Sequence, residues 1–282
     1  MVYLQKNIFK KSSKTFYYST LFFPKNIQSD VCKLYAFVRT ADDYVDSIPQ
    51  DSKGFYNFKR EALDSIDNSK AITSNIIIQW LIEVYYKYNF KREWVVSFLE
   101  AMESDLWSVR MKNKQELEYY MYGSAAVVWY MMCAIFWIRD QANLQAAQSL
   151  AYAMQCINFI RDVDEDNKLW RRYLYNNTIY YNNLVVNNEV LPDFIQQHLE
   201  LYFVYFSEAQ SWLLWLPLSF KVAVLTASDA YHWTAKKIHK NPSVIFERKI
   251  KPSKIRVILF WCRNLATLSL QHTFQRIQTI FR

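Results

Sequence analysis

The chain has 282 residues and a formal net charge of +8, and 52% of its residues are hydrophobic while 21% are charged. This balance excludes an intrinsically disordered chain and predicts a sizeable buried core. The positive charge indicates an anionic partner, and a phosphorylated small molecule, a membrane surface and a nucleic acid all meet that condition.

Basic residues concentrate near the two ends of the chain, in residues 5–14 and 247–256. Neither stretch carries the interleaved aromatic residues and glycines of an RNA-binding motif, so we expect no nucleic-acid partner. A solvated or membrane-facing surface is the expectation instead. The N-terminal stretch also lacks the apolar run of a secretory signal, which predicts a cytoplasmic protein. The expected membrane-facing surface adds a second prediction, peripheral contact with the inner face of the membrane.

The composition also predicts the fold class. Two glycines and six prolines leave few positions for tight turns. No segment alternates apolar and polar residues as a half-buried strand does, and no stretch rich in Gly, Ser or Pro divides the chain. We therefore predict an all-α protein with a single domain over residues 1–282.

Apolar periodicity places the predicted helices at 29–47, 56–67, 74–88, 91–111, 114–138, 142–168, 192–216, 219–240 and 254–281. The interval from 169 to 191 is rich in Asn and Tyr and predicts a loop. Loops of that length often act as lids over a site.

The predicted helix at 29–47 has a narrow polar face. Tyr35, Arg39, Asp42 and Asp46 follow one another at spacings of four, three and four residues, which aligns them along one side of a helix. Apolar residues fill the remaining positions. Two carboxylates one helical turn apart are candidate metal ligands, although a single DxxxD pair occurs often by chance.

The predicted helix at 114–138 contains an uncharged run. Tyr119 to Ile138 has no charged residue and meets the length criterion for a membrane span. We favour a buried core helix because acidic residues directly precede the run and no second span is present to pair with it. A membrane-embedded protein remains the alternative.

The predicted helix at 142–168 also has a polar face, within an arc of roughly 140°. Its members are Gln155, Asn158, Arg161, Asp162, Glu165 and Asp166. An amphipathic surface helix explains this periodicity equally well. However, the three acids repel one another by roughly 0.2–0.5 kcal/mol per pair, and no lysine is placed to relieve them. This crowding indicates a bound cation.

Two helices therefore carry DxxxD pairs, Asp42/Asp46 and Asp162/Asp166, and each pair has an arginine close by in Arg39 and Arg161. Mg²⁺ prefers oxygen ligands, keeps several waters, and commonly takes one or two carboxylates plus substrate phosphate oxygens. Arginine donates paired hydrogen bonds to the remaining phosphate oxygens. The pattern predicts two facing acidic patches that hold a metal bound to a diphosphate.

Four motifs carry a resemblance to a known family. They are "SKTF" (Ser13 to Phe16), "LYAFVRTADDYVD" (Leu34 to Asp46), "YMYGSA" (Tyr120 to Ala125) and "QCINFIRDVDED" (Gln155 to Asp166), followed by "RRYL". In order and spacing the chain resembles the squalene/phytoene synthases, and in length it is more similar to their microbial phytoene- or dehydrosqualene-forming members than to eukaryotic squalene synthase. The resemblance implies an isoprenoid synthase fold, a helical bundle around a central cavity. It also implies head-to-head joining of two prenyl diphosphates through a cyclopropyl intermediate, with Mg²⁺, or Mn²⁺ as an alternative ion.

The resemblance also implies roles for individual residues. The implied metal ligands are Asp42, Asp46, Asp162, Asp166 and Glu165. The residues implied to contact diphosphate or to orient its ligands are Ser13, Tyr35, Arg39, Gln155, Asn158, Arg161, Arg171, Tyr231 and Arg248. We expect the four aspartates, together with Tyr35 and Arg39, to take part in catalysis.

Three tryptophans depart from the family pattern. Trp129, Trp170 and Trp212 stand where the family commonly has glycine. An indole in such a place would overpack a core or obstruct a cavity. Because the chain has only two glycines and ten tryptophans, we hypothesise that the source organism reads the UGA codon as glycine at these positions.

The predicted activity is condensation of two geranylgeranyl diphosphates to 15-cis-phytoene, as in carotenoid biosynthesis. One alternative is conversion of farnesyl diphosphate to dehydrosqualene or squalene. Squalene formation would require NADPH, which we do not expect as a cofactor because no dinucleotide-binding fingerprint is present. A second alternative is a non-catalytic helical family member that acts as a binding or assembly factor. The oligomeric state is not predicted.

Overall fold

A computed structural model describes residues 9, 20, 23–68, 73–175, 191–210, 216 and 218–280, without the side chains of 218, 219 and 270–280. The fold is helical, as predicted. Its helices are α1 (Lys25–Asp46), α2 (Ser52–Asp67), α3 (Ile76–Tyr88), α4 (Arg92–Ser104), α5 (Lys114–Met121), α6 (Val127–Ile135), α7 (Gln141–Arg161), α8 (Val163–Lys168), α9 (Leu191–Gln210), α10 (Leu218–Lys240), α11 (Val244–Glu247) and α12 (Lys254–Ile280). A π-helical segment, Tyr122–Ala126, joins α5 to α6.

Two predicted helices differ from the observed ones in a way that affects the site. The helix predicted at 91–111 ends at Ser104, and Val109–Arg110 instead forms strand β1. The helix predicted at 142–168 is interrupted at Asp162, where α7 ends and α8 begins. In both cases the apolar periodicity continues past the end of the helix, so periodicity alone does not reveal the break.

Part of the predicted loop forms strand structure. Strand β2, Arg171–Arg172, pairs in parallel with β1, and Val109 lies opposite Arg171. This two-residue ladder ties the chain after α8 to the chain after α4. Residues 176–190, on which the prediction of a lid also depends, lie outside the described residues.

Helices α1 and α7 form opposite walls of the interior. Helix α1 packs against α2, α3, α4 and α6, while α7 packs most extensively along α9 and also contacts α6 and the π-helical segment. The π-helical segment lies directly on α4, because a Cβ atom at Gly123 would come within 2.5 Å of the backbone oxygen of Ser97. Glycine at this position is thus a requirement of close helix packing.

The uncharged run is a core element. Tyr120, Met121 and Met131 are buried in it, and only its margins are exposed, at Tyr119 and Trp137. No helix in the described part of the chain combines the length and the apolar character that a membrane span requires. The prediction of a buried core helix is confirmed, although the helix is divided by the π-helical segment.

Two tryptophans adopt backbone conformations that favour glycine. Trp137 and Trp170 both have a φ of 60° and follow the ends of α6 and α8. At the first, Ile138 N–H donates to the carbonyl of Cys133 at 2.9 Å and Trp137 N–H to that of Ala134 at 3.0 Å. This is the Schellman arrangement, whose left-handed residue is usually glycine. The glycine hypothesis therefore extends to position 137.

The other two positions of the hypothesis have different outcomes. Trp129 is half-buried against the core and is not among the residues that line the central cavity. Trp212 lies outside the described residues. Peptide mass spectrometry of the protein from its native host tests the hypothesis directly, and indole-mass residues at positions 137 and 170 would contradict it.

Replacing Trp170 with glycine is expected to stabilise the protein expressed from the printed sequence by about 1 kcal/mol, because a left-handed residue with a Cβ atom costs roughly 1–2 kcal/mol. The indole of Trp170 is 74% exposed, so little packing is lost. Chemical denaturation measures the difference. Trp170→Ala is the matched control, because it removes the indole but keeps the Cβ atom, and equal stabilisation by both variants would contradict a backbone origin.

Candidate active site

Helix α1 presents its polar face to a cavity of about 1120 Å³. The four residues predicted on that face, Tyr35, Arg39, Asp42 and Asp46, all line the cavity. The opposite face carries Leu34, Phe37 and Ala41, which are buried in the core. The amphipathic pattern of α1 therefore fixes which side of the helix faces the cavity.

The second polar face lies across the same cavity. Gln155, Asn158 and Arg161 of α7 line it, and so do Asp162, Glu165 and Asp166 at the junction with α8 and within α8. Ile157 and Ile160 are buried on the other side of α7. The two acidic patches thus belong to one site, although more than a hundred residues of sequence separate them.

Electrostatics around Asp42 show a carboxylate without enough compensating charge. Arg39 Nη1 lies 2.5 Å from its Oδ2, and Arg39 also pairs with Asp43. Burial at the cavity wall and repulsion by Asp46 nevertheless raise the pKa of Asp42 to about 7. The side chain keeps 33% of its surface accessible, and it lines the cavity. A cation entering the cavity would stabilise the ionised form of this carboxyl.

The charges on the two walls interact. Burial, followed by repulsion from Asp162, raises the pKa of Asp166 to about 8, and Asp105 and Asp46 add to the effect while Arg171 opposes it. Asp46 belongs to α1 and Asp166 to α8. The pKa of an acid on one wall is therefore raised by an acid on the other, as expected if the two patches share a cation.

Asp162 behaves differently because it already has cationic partners. Burial alone would raise the pKa of this carboxyl, but Arg161 and Lys249 lower it below its usual value. Arg161 Nε lies 2.8 Å from Oδ1, and Lys249 Nζ lies 3.2 Å from the same oxygen. Lys249 also pairs with Glu165. Lys249 therefore partly neutralises the negative charge of this patch.

The donor set fits a divalent metal that is shared with the substrate. Carboxylate oxygens are the ligands that Mg²⁺ prefers, and this ion usually completes its shell with water and phosphate oxygens. Among the described residues, no group of three or more His, Cys, Asp or Glu side chains converges closely enough to hold an ion unaided. That arrangement suits pairs of carboxylates that hold a metal only together with a diphosphate.

Arg171 was predicted as a diphosphate contact, and its guanidinium bonds to the end of α1 and to the residue that follows α4. Its guanidinium is almost fully buried and donates to Asp46 Oδ1 at 2.7 Å, to the carbonyl of Val45 at 2.6 Å and to the carbonyl of Asp105 at 3.0 Å. Nearly all of its donors are used by the protein. The geometry makes Arg171 mainly a residue that positions Asp46 at the end of α1.

Asp105 is a cavity residue that sequence reasoning missed. Its carboxylate accepts hydrogen bonds of 2.6 Å from Tyr120 and from Tyr173, and burial raises its pKa to about 6 in spite of the nearby Arg171. Its carbonyl receives Arg171, as described above. The three side chains come from the residue after α4, from α5 and from the residue after β2. No local spacing in the sequence therefore predicts this hydrogen-bond network.

The basic segment after α11 contacts the site through residues other than the predicted one. Arg248 is exposed and is not among the cavity-lining residues, whereas Lys249 and Lys251 line the cavity. Arg248 has an extended backbone, with φ −165° and ψ 154°. Successive side chains of an extended chain point to opposite sides. Lys249, and not Arg248, therefore lies beside Asp162, and the predicted contact of Arg248 with diphosphate stays a prediction.

The remaining predicted residues are placed as follows. Tyr231 of α10 lines the cavity and donates to Asn158 Oδ1 at 3.2 Å, and Asn158 Nδ2 donates to Gln155 at 3.0 Å. Ser13 lies outside the described residues. The cavity lining also includes apolar and aromatic side chains, namely Val38, Phe98, Met102, Tyr120, Phe159 and Tyr173.

The raised pKa values predict how the metal-free protein responds to pH. Asp42 and Asp166 titrate near 7 and 8 when folded but near 4 when unfolded. Their stabilising contribution is present at low pH and is lost as the pH rises through the folded values, so together they should lower the free energy of unfolding by up to about 2–3 kcal/mol per pH unit between about pH 5 and 7. The lowered pKa of Asp162 adds no slope in that window.

Thermal melts in a chelator across this pH range measure the effect. Mg²⁺ with inorganic diphosphate should restore stability most at the higher pH, because metal ligands must be deprotonated. Asp166→Asn should reduce the slope. A melting temperature that rises with pH in the chelator would contradict the electrostatic picture of the site.

The cavity of this helical bundle joins facing carboxylate pairs, cationic side chains and apolar aromatic side chains, a lining that suits a ligand with an anionic head and a long apolar tail. The sequence pattern of the squalene/phytoene synthase family matches residues 9–256. The chain belongs to this family, whose members join two prenyl diphosphates head to head with a divalent metal, and it is a prenyltransferase.

Curated relatives agree with this assignment. The 15-cis-phytoene synthase of a Paracoccus species is 23% identical over 257 residues, which cover 86% of this chain and 84% of the relative. The 15-cis-phytoene synthase of Enterobacter agglomerans is 26% identical over 256 residues, covering 84% of this chain and 85% of the relative. The similarity extends over most of both chains.

A solved structure of a dehydrosqualene synthase in complex with a ligand has a TM-score of 0.75 to this chain at 19% identity, covering 95% of this chain and 96% of that one. A squalene synthase from Alicyclobacillus acidocaldarius also has a TM-score of 0.75, at 17% identity, covering 85% of this chain and 93% of that one. These likenesses establish the isoprenoid synthase fold.

Proposed function

We propose that this protein condenses two molecules of geranylgeranyl diphosphate to 15-cis-phytoene, with release of both diphosphates. The observation that carries the proposal is geometric: the acidic patches of α1 and of the α7–α8 junction line one cavity. The choice of substrate rests on relatives that are named 15-cis-phytoene synthases and match over most of their length.

The site residues divide into three proposed roles. Asp42 and Asp46 on one wall, and Asp162, Asp166 and Glu165 on the other, would hold the divalent metal, Mg²⁺ in our proposal. When bound, the metal supplies positive charge to the leaving diphosphate. Arg39 and Arg161 stand beside these acids, each paired to one of them. Once a metal neutralises the acids, both guanidinium groups are free to donate hydrogen bonds to diphosphate oxygens.

The neutral polar residues orient the substrate. Tyr231, Asn158 and Gln155 form one hydrogen-bonded row along the cavity wall. Tyr35 lines the α1 side of the same cavity. Hydroxyl and amide groups fixed by such a network hold a diphosphate in one orientation and lose little entropy when it binds. Lys249 and Lys251 extend the cationic lining on the other side.

The apolar and aromatic side chains of the cavity lining serve the carbon chemistry. The C1–O bond of one substrate breaks, and its electron pair leaves with the diphosphate. The resulting allylic cation is attacked by the C2–C3 double bond of the second substrate, and loss of a proton closes the cyclopropane. Departure of the second diphosphate, rearrangement and loss of another proton give phytoene without a reductant. Aromatic faces such as those of Phe159 and Tyr173 stabilise cations and exclude water from them.

A second candidate uses farnesyl diphosphate. Two structural neighbours are a dehydrosqualene synthase and a squalene synthase. The cavity volume does not discriminate between the two substrate chain lengths. At about 1120 Å³ the cavity exceeds the usual range of roughly 300–1,000 Å³ for a single small-molecule site. That excess is consistent with two substrates of either length.

Product analysis tests the proposal. The purified protein is incubated with farnesyl or geranylgeranyl diphosphate and Mg²⁺, with and without NADPH, and the hydrocarbon extract is analysed by chromatography and mass spectrometry. We expect phytoene from geranylgeranyl diphosphate, independent of NADPH. Dehydrosqualene or squalene would instead favour the second candidate. Absence of product under every condition would favour a non-catalytic family member.

A further inference from the structure

One face of α12 is apolar and exposed to solvent. Ile255, Ile258 and Leu259 are 72%, 54% and 61% exposed. Cys262 and Ala266 continue the same face and are also exposed. The spacing of these five residues confines them to an arc of roughly 100°, and we call this arc the α12 stripe.

The stripe is distinct from the face that holds α12 in the fold. Val257, Asn264 and Leu268 are buried on the opposite side, where α12 packs against α10. Single exposed apolar residues are common on protein surfaces, but three large ones within two turns of one helix mark an interaction surface. The helix therefore has a second apolar side, which none of the described residues buries.

Cations surround the stripe. From Arg248 to Arg282 the sequence has eight Lys or Arg residues and no acidic residue. Lys251, Lys254 and Arg256 are exposed next to the stripe, and Arg256 also covers the ring of Trp233 at 5.0 Å. Arg263 is paired with Asp229 at 2.5 Å. The surface as a whole is positive and apolar.

The stripe also borders the cavity. Ile258 and Lys254 line the cavity, and both are exposed to solvent. The first turns of α12 are thus part of the cavity mouth. A hydrophobic molecule held against the stripe would lie beside the entrance to the site.

We propose that the α12 stripe docks on the headgroup region of a bilayer that contains anionic lipids. An amphipathic helix with apolar residues on one side and cations at its margin lies in the plane of such an interface, and each Lys or Arg near the surface adds electrostatic attraction. A second copy of the chain is the less suitable occupant, because a two-fold contact through this face would bring the same cations against each other.

Vesicle flotation tests the proposal and requires no turnover, so its outcome is independent of the proposed activity. The full-length protein is mixed with vesicles of phosphatidylcholine alone or of phosphatidylcholine and phosphatidylglycerol in about equal amounts. We expect binding to the anionic vesicles that weakens as the salt concentration rises. Ile255→Ser combined with Leu259→Ser should lower the partition coefficient by about tenfold or more, because less apolar surface enters the interface.

Val204→Ser is the matched control, since Val204 is a 49% exposed apolar residue on α9, and its partition coefficient should equal that of the wild type. Arg256→Gln provides a second variant, which should weaken binding most at low salt. Circular dichroism confirms that each variant is folded. Wild-type protein that does not bind anionic vesicles, or a double variant that binds as well as the wild type, would overturn the proposal. So would a dimer in sedimentation that the double variant dissociates while vesicle binding is unaffected.

Discussion

Asp42→Asn and Asp162→Asn are each expected to reduce turnover by at least about 10²–10³-fold, since each removes a charged ligand from the proposed metal site and with it stabilisation of the leaving diphosphate. The fold should tolerate both changes. Asparagine in place of Asp42 removes a carboxyl whose pKa is raised by burial and by repulsion from Asp46, while Arg161 also has a hydrogen bond with Tyr231. Product formation and the melting temperature of the metal-free protein measure the two effects separately.

Each variant has a control in the neighbouring sequence. Asp43 follows Asp42 on α1, is 59% exposed on its side chain and does not line the cavity. Asp164 lies two residues after Asp162, does not line the cavity and pairs with Lys168 at 2.8 Å. Asp43→Asn and Asp164→Asn should keep turnover within about a few fold of the wild type, as expected for exposed charges. If Asp42→Asn or Asp162→Asn unfolds the protein, the acids are structural and the proposed metal site is wrong.

Both acidic faces were predictable from sequence because each is a local pattern. Residues spaced by three and four positions share one side of a helix whatever the rest of the fold does. Tyr35 and Asp46 at the two ends of the α1 face line the cavity as that rule predicts, and so do Gln155 and Asp166 at the ends of the other face. The prediction that the two faces meet depends on their matching acids and arginines, because spacing alone places residues on one helix and not one helix against another.

The features that the sequence did not reveal depend on contacts between distant residues. Asp105 becomes a cavity residue only when Tyr120 and Tyr173 reach it from other elements. The pairing of β1 with β2 spans two residues on each side, too few for a strand pattern to be visible. Whether Arg248 or Lys249 enters the site depends on how an extended segment is oriented. The sequence pattern does not specify that orientation.

The same long-range contacts bring cations to part of the acidic patches. Lys249 neutralises Asp162 and Glu165 from a segment that follows α11, and Arg171 does the same for Asp46 from β2. Asp42 and Asp166 instead have raised pKa values. The folded chain therefore reduces the repulsion within its acidic patches partly with cations, and burial together with mutual repulsion favours the protonated form of the other two carboxyls.

Replacing Arg171 with methionine is expected to lower the free energy of unfolding by about 3 kcal/mol, because it leaves the carboxylate of Asp46 and the carbonyls of Val45 and Asp105 without their buried donor. Turnover should be lost as well, since the end of α1 that carries Asp46 would no longer be anchored to β2. Arg171→Lys keeps the charge but not the forked donor geometry, so an intermediate loss of stability is expected. Chemical denaturation and product formation measure the two consequences.

Replacing Arg172 is the matched control for Arg171→Met. It tests whether the loss of stability comes from the hydrogen bonds of Arg171 or from the pairing of β2 with β1. Arg172 is the next residue of the same strand, is half-buried and does not line the cavity. Arg172→Met should therefore cost less than about 1 kcal/mol, as is usual for surface substitutions. Equal losses in the two methionine variants would show that the strand pairing, and not the bonds from Arg171 to Asp46 and Asp105, holds this side of the site. A full loss of turnover in Arg171→Lys with wild-type stability would instead indicate that Arg171 contacts the substrate directly.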